Sequence, residues 1–336
     1  MNLDELAAAW GWRDAAIAKL AGGLINETHL VSVGDEPIAV LQRLHPVFGA
    51  AVNLDIEAVT AHLAAKGMTT PRLIRTVDGR AWIDDAGTIW RALSYVSGET
   101  VHRVPSPAWA EAGGELVGRF HRAVADLEHA YAFARAGVHD TPAHLARLRG
   151  YVEASADTEA VELGRDVLDA AAQLPVMPAI PHRHCHGDLK ISNLLFRRDP
   201  LAAIALVDLD TLGLSTMAFE LGDAMRSWCN PHGEDAWAVQ FELAIFEAAI
   251  RGFRAAADAI VSHQERVAIV VGLETVCLEL AARFAVDVFR DDYFGWDPAR
   301  FPTRRAHNLV RARGQLALGH AVRHAREDLM AVVLGG

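Results

Sequence analysis

The spacing of apolar positions changes character near residue 98. Before it, short apolar runs alternate with turn signals, and residues 16–20, 28–33 and 38–44 read as strands. Gly22-Gly23 separates the first two, and Gly34-Asp35-Glu36-Pro37 is a hairpin turn between the others. Ile56, Val59 and Leu63 then recur at helical spacing, with Asn53 as the N-cap and Gly67 as the stop. Further strands are expected over 72–77, 81–83 and 88–95. Beyond Gly98 the pattern is mostly helical, over 108–125, 158–172, 235–256 and 265–290. Residues 194–196 and 204–207 interrupt it as a small hairpin. The pattern predicts an α+β chain in two lobes. Residues 1–97 form a small antiparallel sheet lobe with one helix, and residues 98–336 a larger, mainly helical lobe.

Composition narrows the function. The chain has 336 residues and a formal net charge of -11, which argues against nucleic acid or an anionic membrane as main partner. A phosphate-bearing cofactor stays open, since it needs only local positive groups. The three cysteines, Cys185, Cys229 and Cys277, are far apart and form no CxxC motif, so a reducing compartment is the default. The acidic start, MNLDELAAAW, is unlike a signal peptide, and no apolar run approaches the ~18–20 residues of a membrane span. A cytoplasmic protein is expected.

The richest stretch runs from His184 to Phe196 and contains His186-Gly187-Asp188-Leu189-Lys190-Ile191-Ser192-Asn193. It matches the kinase catalytic-loop pattern H-x-D-x-x-x-x-N followed by an apolar strand. Asp188 would orient the acceptor hydroxyl and take its proton, Asn193 would ligate magnesium, and Lys190 would offset charge on the transferring phosphate. Val207-Asp208-Leu209-Asp210 follows fifteen residues after Asn193. An apolar strand ending in a carboxylate suits a magnesium ligand, so Asp208 is the second metal candidate. Asp210, read on the same strand with period two, is a further ligand or a substrate contact. His182, His184 and His186 alternate, but no fourth ligand makes them a zinc site, and a structural role is expected.

The first lobe should cover the nucleotide. Gly22 and Gly23 occupy the first turn, with Asn26 and Thr28 as side-chain contacts to phosphate. The third strand, Val40-Leu41-Gln42-Arg43-Leu44, has no lysine, so Arg43 is assigned to the α- and β-phosphates, with Glu57 on the next helix to orient it. Strand alternation sends Gln42 and Arg43 to opposite faces. The adenine should meet backbone near 94–98, at Tyr95 and Val96. Towards the C-terminus, aromatic, acidic and arginine residues cluster, and Arg283, Tyr293 and Trp296 are acceptor candidates.

The Gly22-Gly23 hairpin, Arg43, residues 186–193 and Val207-Asp208-Leu209-Asp210 resemble the aminoglycoside phosphotransferase and choline kinase superfamily. That resemblance implies a protein-kinase-like fold and an ATP- and Mg2+-dependent kinase for a small metabolite. Gly23-Leu24-Ile25-Asn26-Glu27-Thr28, Trp90-Arg91-Ala92, residues 221–227, Arg283-Phe284 and residues 307–313 look like the N-acetylhexosamine 1-kinase branch. This implies phosphoryl transfer to the anomeric hydroxyl of an N-acetylhexosamine, so a sugar is the favoured acceptor. Choline, ethanolamine, homoserine or an aminoglycoside is the alternative, and a non-catalytic nucleotide-binding scaffold is a further one.

Overall fold

The computed structural model describes residues 2–20, 26–133 and 137–335. A short helix α1 (Leu3–Ala8) precedes strands β1 (Ala16–Lys19), β2 (Glu27–Val33) and β3 (Glu36–Arg43). Helix α2 (Val52–Ala65) follows, then β4 (Leu73–Ile74), β5 (Ile83–Asp85) and β6 (Thr88–Ser94). The strands form one antiparallel sheet ordered β1-β2-β3-β6-β4, with β5 paired to β6. Alternation divides its residues between two faces. Val31, Leu41, Trp90 and Ala92 pack against Leu6 and Trp10 on the α1 side. The opposite face looks toward α2 and the second lobe.

Helix α2 buries Ile56, Val59 and Leu63, the predicted stripe. Its cap is Ala51, not Asn53, which lies in the first turn and donates its amide to Ala50 O (2.9 Å). Asp55, one turn on, accepts the N–H groups of Ala132 (2.8 Å) and Phe133 (2.9 Å) from the helical lobe. So α2 belongs to the packing of both lobes.

The second lobe comprises α3 (Pro107–Ala123), α4 (Thr141–Ala154), α5 (Thr158–Ala171), β7 (Arg183–Cys185), β8 (Leu194–Arg198), β9 (Leu201–Leu206) and β10 (Gly213–Ser215). Then come α6 (Met217–Trp228), α7 (Leu243–Ala257), α8 (His263–Arg290), α9 (Arg304–His324) and α10 (Arg326–Leu334). β8 and β9 form the expected hairpin, and β7 pairs with β10. Helix α7 begins at Leu243, eight residues later than its apolar spacing suggests. Asp235 explains the delay: its carboxylate is held by His307 (2.8 Å) and Arg311 (2.7 Å), which draws that segment out as a loop.

Helix α8 is buried on almost every side and carries Glu274, Glu279 and Asp287 inward. Buried charges need partners. Glu274 meets Arg323 (2.8 Å) and Arg326 (2.6 Å), and Asp287 accepts from Asn308 (2.8 Å) and three consecutive N–H groups at 292–294. Backbones of α6 and α8 touch where they cross. A Cβ on Gly272 would lie 2.0 Å from Ala218 O, and one on Gly222 2.7 Å from the Gly272 carbonyl carbon. Among the described residues no helix is long and apolar enough to cross a membrane.

The crossing generates a stability test. Gly272→Ala removes a poor helix former, which by propensity alone stabilises by about 1 kcal/mol. The clash opposes this, since overpacking costs about 1–3 kcal/mol and the obstacle here is backbone. A net fall in Tm by thermal unfolding is expected. A rise would mean that the two helices can part without cost.

Candidate active site

The catalytic loop is held from several directions. His186 is fully buried; its Nε2–H donates to Val207 O (3.0 Å) and its Nδ1 accepts the Asp188 N–H (3.3 Å). Thr211 Oγ1 donates to His186 O (2.7 Å), and Trp228 Nε1 donates to Leu189 O (2.7 Å). Gly187 has φ +81°, and a Cβ there would lie 2.5 Å from Thr211 O. Only glycine fits both constraints. His184 is bound to Leu127 O (2.9 Å) and Tyr131 Oη (3.0 Å), so these histidines brace the loop.

Three groups converge on Asp188. Lys190 Nζ lies 3.2 Å from Asp188 Oδ1. Burial alone would lower the lysine pKa, but Asp188, Glu234 and Asp223 outweigh it and hold the ammonium charged. Asn193 Nδ2 donates to Asp188 O (2.8 Å), leaving its Oδ1 without a donor among the described residues. Asp208 follows β9 in the left-handed region, φ 61° and ψ 59°, and residues Leu209–Thr211 make a single 3-10 turn. Period two therefore does not carry Asp210 alongside Asp208. Burial pushes the Asp208 carboxyl upward, and the charges of Asp210 and Asp188 push it further. Its oxygens take no hydrogen bond among the described residues. A hard oxygen set of one carboxylate and one amide, under excess negative charge, fits magnesium.

Asp210 has another role. It is 1% exposed and is paired with Arg91, which is 0% exposed and comes from β6. Arg91 Nη2 donates to its Oδ2 (2.9 Å), as does Asn26 Nδ2 (2.6 Å). Its charge is consumed inside the protein, so the expectation of a metal or substrate contact is corrected to that of a link between lobes.

Cross-strand register explains the arrangement on the inner face. Thr28, Gln42 and Arg91 are successive partners across β2, β3 and β6. Gln42 Oε1 accepts Arg91 Nε (2.9 Å) and Nη2 (2.7 Å), Gln42 Nε2 donates to Thr28 Oγ1 (3.3 Å), and Asn53 accepts from Arg91 Nη1 (3.4 Å). Arg43, next to Gln42, must face the other way. It shares the α1 side with Leu41, is half-exposed and lies 3.5 Å from Glu27. It does not point at the nucleotide cleft. Glu57 does not orient it either, because Arg75 holds that carboxylate (2.5 and 2.7 Å). Asn26 also accepts the His45 N–H (2.9 Å), so Asn26 and Thr28 shape the sheet with groups already engaged. Gly22 and Gly23 lie outside the described residues. The Tyr95 N–H is taken by Ile38 O (3.2 Å), whereas Val96 has no hydrogen bond within the described protein. Glu99 and Phe196 exchange backbone bonds (3.0 and 2.8 Å), anchoring the linking segment to β8.

Arg91 was the residue the sequence reading missed. A single charge within Ile89-Trp90-Arg91-Ala92-Leu93, otherwise apolar, was the available signal, because a buried arginine requires a carboxylate.

On the far side of Asp188 opens a cavity of about 1040 Å3. Asp223 and Glu234 both pair with Arg226 there (2.7 and 2.8 Å) and also face the Lys190 ammonium. Glu279 meets Thr141 (2.6 Å) and His139 (3.2 Å). Arg283 lies 5.7 Å over the Phe294 ring and has no carboxylate partner among the described residues. Trp296 joins Arg283 and Phe294 in the wall. Tyr293 does not: it is 61% exposed and borders a separate cavity of about 280 Å3, while Asp287 draws its neighbour Phe294 inward.

The register correction is testable. Arg91→Met strands Asp210 as a buried charge and should cost about 3–5 kcal/mol in denaturant unfolding. Arg43→Ala should stay within about 0.5 kcal/mol and leave the KM for ATP nearly unchanged. A large rise in that KM with Arg43→Ala would reinstate Arg43 as a phosphate contact.

The sequence profile of the phosphotransferase enzyme family, APH, matches residues 16–257. A homoserine kinase of Granulibacter bethesdensis is 27% identical over 251 residues, which is 73% of this chain and 71% of that protein. A choline/ethanolamine kinase family protein from Mesorhizobium loti superposes over 100% of both chains, with TM-score 0.60 and 17% identity. An aminoglycoside phosphotransferase from Alicyclobacillus acidocaldarius does so over 96% of both, with TM-score 0.60 and 15% identity. Both structural matches carry the two-lobed kinase-like fold. With the family profile spanning most of the chain, this protein belongs to the phosphotransferase enzyme family and is a small-molecule kinase.

Proposed function

We propose that the protein transfers the γ-phosphoryl group of ATP to a hydroxyl of a small acceptor that carries an amino group. One observation supports this acceptor most: in the cavity, the three carboxylates of Asp188, Asp223 and Glu234 face the two cations Lys190 and Arg226, leaving net negative charge for an ammonium. Arg283, without a carboxylate partner among the described residues, offers the same ligand a carboxylate contact. A hydroxy amino acid such as homoserine satisfies both. The matched family and relatives support the phosphotransferase and stop short of a sugar. The N-acetylhexosamine reading rests on sequence resemblance; Phe294 and Trp296 offer a sugar ring faces, but it leaves the surplus charge unanswered.

Asp188 takes the proton of the acceptor hydroxyl as its oxygen bonds to the γ-phosphorus. The bond from that phosphorus to the β–γ bridging oxygen breaks, and ADP leaves with the electron pair. Lys190 offsets charge on the transferring group. Asn193 through Oδ1 and Asp208 through its carboxylate would hold magnesium, which supplies neutralisation of phosphate charge when bound. The nucleotide lies between a lobe of residues 1–97 and one of 98–336, with adenine against the Val96 backbone.

Asp188→Asn should lower kcat by about 10²–10⁴-fold with Mg-ATP affinity retained. Near-normal turnover would remove Asp188 from proton transfer. Asp208→Ala should abolish the magnesium dependence of ATP binding in calorimetry, and an unchanged dependence would place the metal elsewhere. A phosphoryl-transfer panel of L-homoserine, ethanolamine and N-acetylglucosamine decides the acceptor. Turnover of the amines is expected, and turnover of the sugar alone would overturn the amine reading.

A further inference from the structure

The smaller cavity, of about 280 Å3, lies where α4 packs against α8. Side chains three, four and seven residues apart share one face of a helix. Arg283, Asp287 and Arg290 therefore line it together from α8, and Arg147 lines it from α4. Neither Arg147 nor Arg290 has a place in the chemistry described so far.

Positive charge accumulates there. Asp287 is the single acid among the described residues of the lining, and it is already engaged, 1% exposed and turned to Asn308 and the amides of 292–294. Arg290 is held by Asp292 (2.7 Å), but both are exposed, and such a pair is easily exchanged. Arg147 and Arg283 have no carboxylate partner among the described residues. Arg283 stacks one face near the Phe294 ring, which leaves the N–H edges of its guanidinium free for an oxyanion in their plane. Like charges converging from two helices repel unless an anion bridges them. A carboxylate presents its oxygens in one plane, whereas a phosphate presents them in several directions and carries a charge of about -1.5 to -2. Phosphate therefore answers arginines arriving from two sides.

We propose that this cavity is a phosphate site, free phosphate or a phosphomonoester, and that the acceptor cavity senses its occupancy through Arg283. Arg283 and Phe294 belong to both walls. A phosphate held by Arg147 draws the Arg283 guanidinium toward itself and away from the acceptor's carboxylate, a coupling that rests on the reading of Arg283 given above. One guanidinium cannot serve both anions at full strength, so each weakens the binding of the other by the same factor.

Inorganic phosphate and glycerol 3-phosphate are the probes, titrated into the full chain by calorimetry without nucleotide. Binding of at least one is expected, and the tighter of the two names the source. That affinity should fall about tenfold or more in Arg147→Gln, since a charge-assisted hydrogen bond is lost. Arg147 is exposed, so the change leaves the packing of α4 intact. With the tighter probe saturating, the KM for L-homoserine should rise about fivefold or more. The KM for ethanolamine, which has no carboxylate, should not change. Arg147→Gln should lose the response. Phosphate acting at the nucleotide site would instead affect both acceptors alike and ignore residue 147. Binding of neither probe, undiminished binding by Arg147→Gln, or an equal effect on the two acceptors would overturn the proposal. Absence of L-homoserine turnover would fault the acceptor reading instead, and binding that depends on Arg147 would still decide the phosphate site.

Discussion

A carboxylate buried between two lobes must be neutralised, and the Arg91–Asp210 pair meets that demand. Asp210 sits in the turn after β9 and Arg91 on the central part of the sheet, so satisfying one charge joins the lobes. Asn26, just before β2, and Gln42 from β3 complete the network. Breaking a buried pair is far more costly than removing both partners. The pair therefore sets the relative position of the sheet and the turn that carries Asp208. It also divides labour among three neighbouring acids. Asp210 is neutralised internally, Asp188 is paired with Lys190, and the Asp208 carboxyl is pushed upward by burial and by those two acids.

The helical lobe supplies rigidity of a different kind. Backbone groups of the Asp188 loop are bound by Thr211 and Trp228 from separate elements, and the His186 ring ties the loop to Val207 O, so the loop is defined by hydrogen bonds more than by its own conformational preference. Buried acids on α8 organise the opposite wall. Asp287 gathers three consecutive amides and thereby turns Phe294 inward. Positioning accounts for much of the rate in phosphoryl transfer, and here it is built largely from side-chain contacts to backbone.

Much of the frame was legible because its signals are local. The turn glycines, the α2 stripe and the β8–β9 hairpin each announce themselves within a few residues. The loop from His186 to Asn193 was legible for the same reason, since one short segment carries the acid and the amide. Side-chain direction was not. Gln42 and Arg43 are adjacent, and only the sheet's packing against Leu6 and Trp10 decides which faces the cleft. Glu57 read as an orienting acid, yet Arg75 lies nearer in space. Helices α6 and α9 escaped the apolar pattern because they bury polar residues, among them Glu220, His307, Asn308 and Gln315. Their partners are distant in sequence, so no local window contains the reason for their burial.

The backbone contact of Gly222 with Gly272 bears on how acceptor preference can diversify. Helix α6 begins beside the catalytic loop, and α8 carries Glu279 and Arg283 into the cavity wall. With no side chain between the two helices at their crossing, the wall cannot be moved outward or inward by exchanging a spacer. A lineage changing its substrate must then rewrite individual cavity residues or remodel the segments around 137–142 and 293–297. The backbone crossing thus fixes where the cavity wall stands relative to the Asp188 loop, while the side chains on that wall can change without moving it.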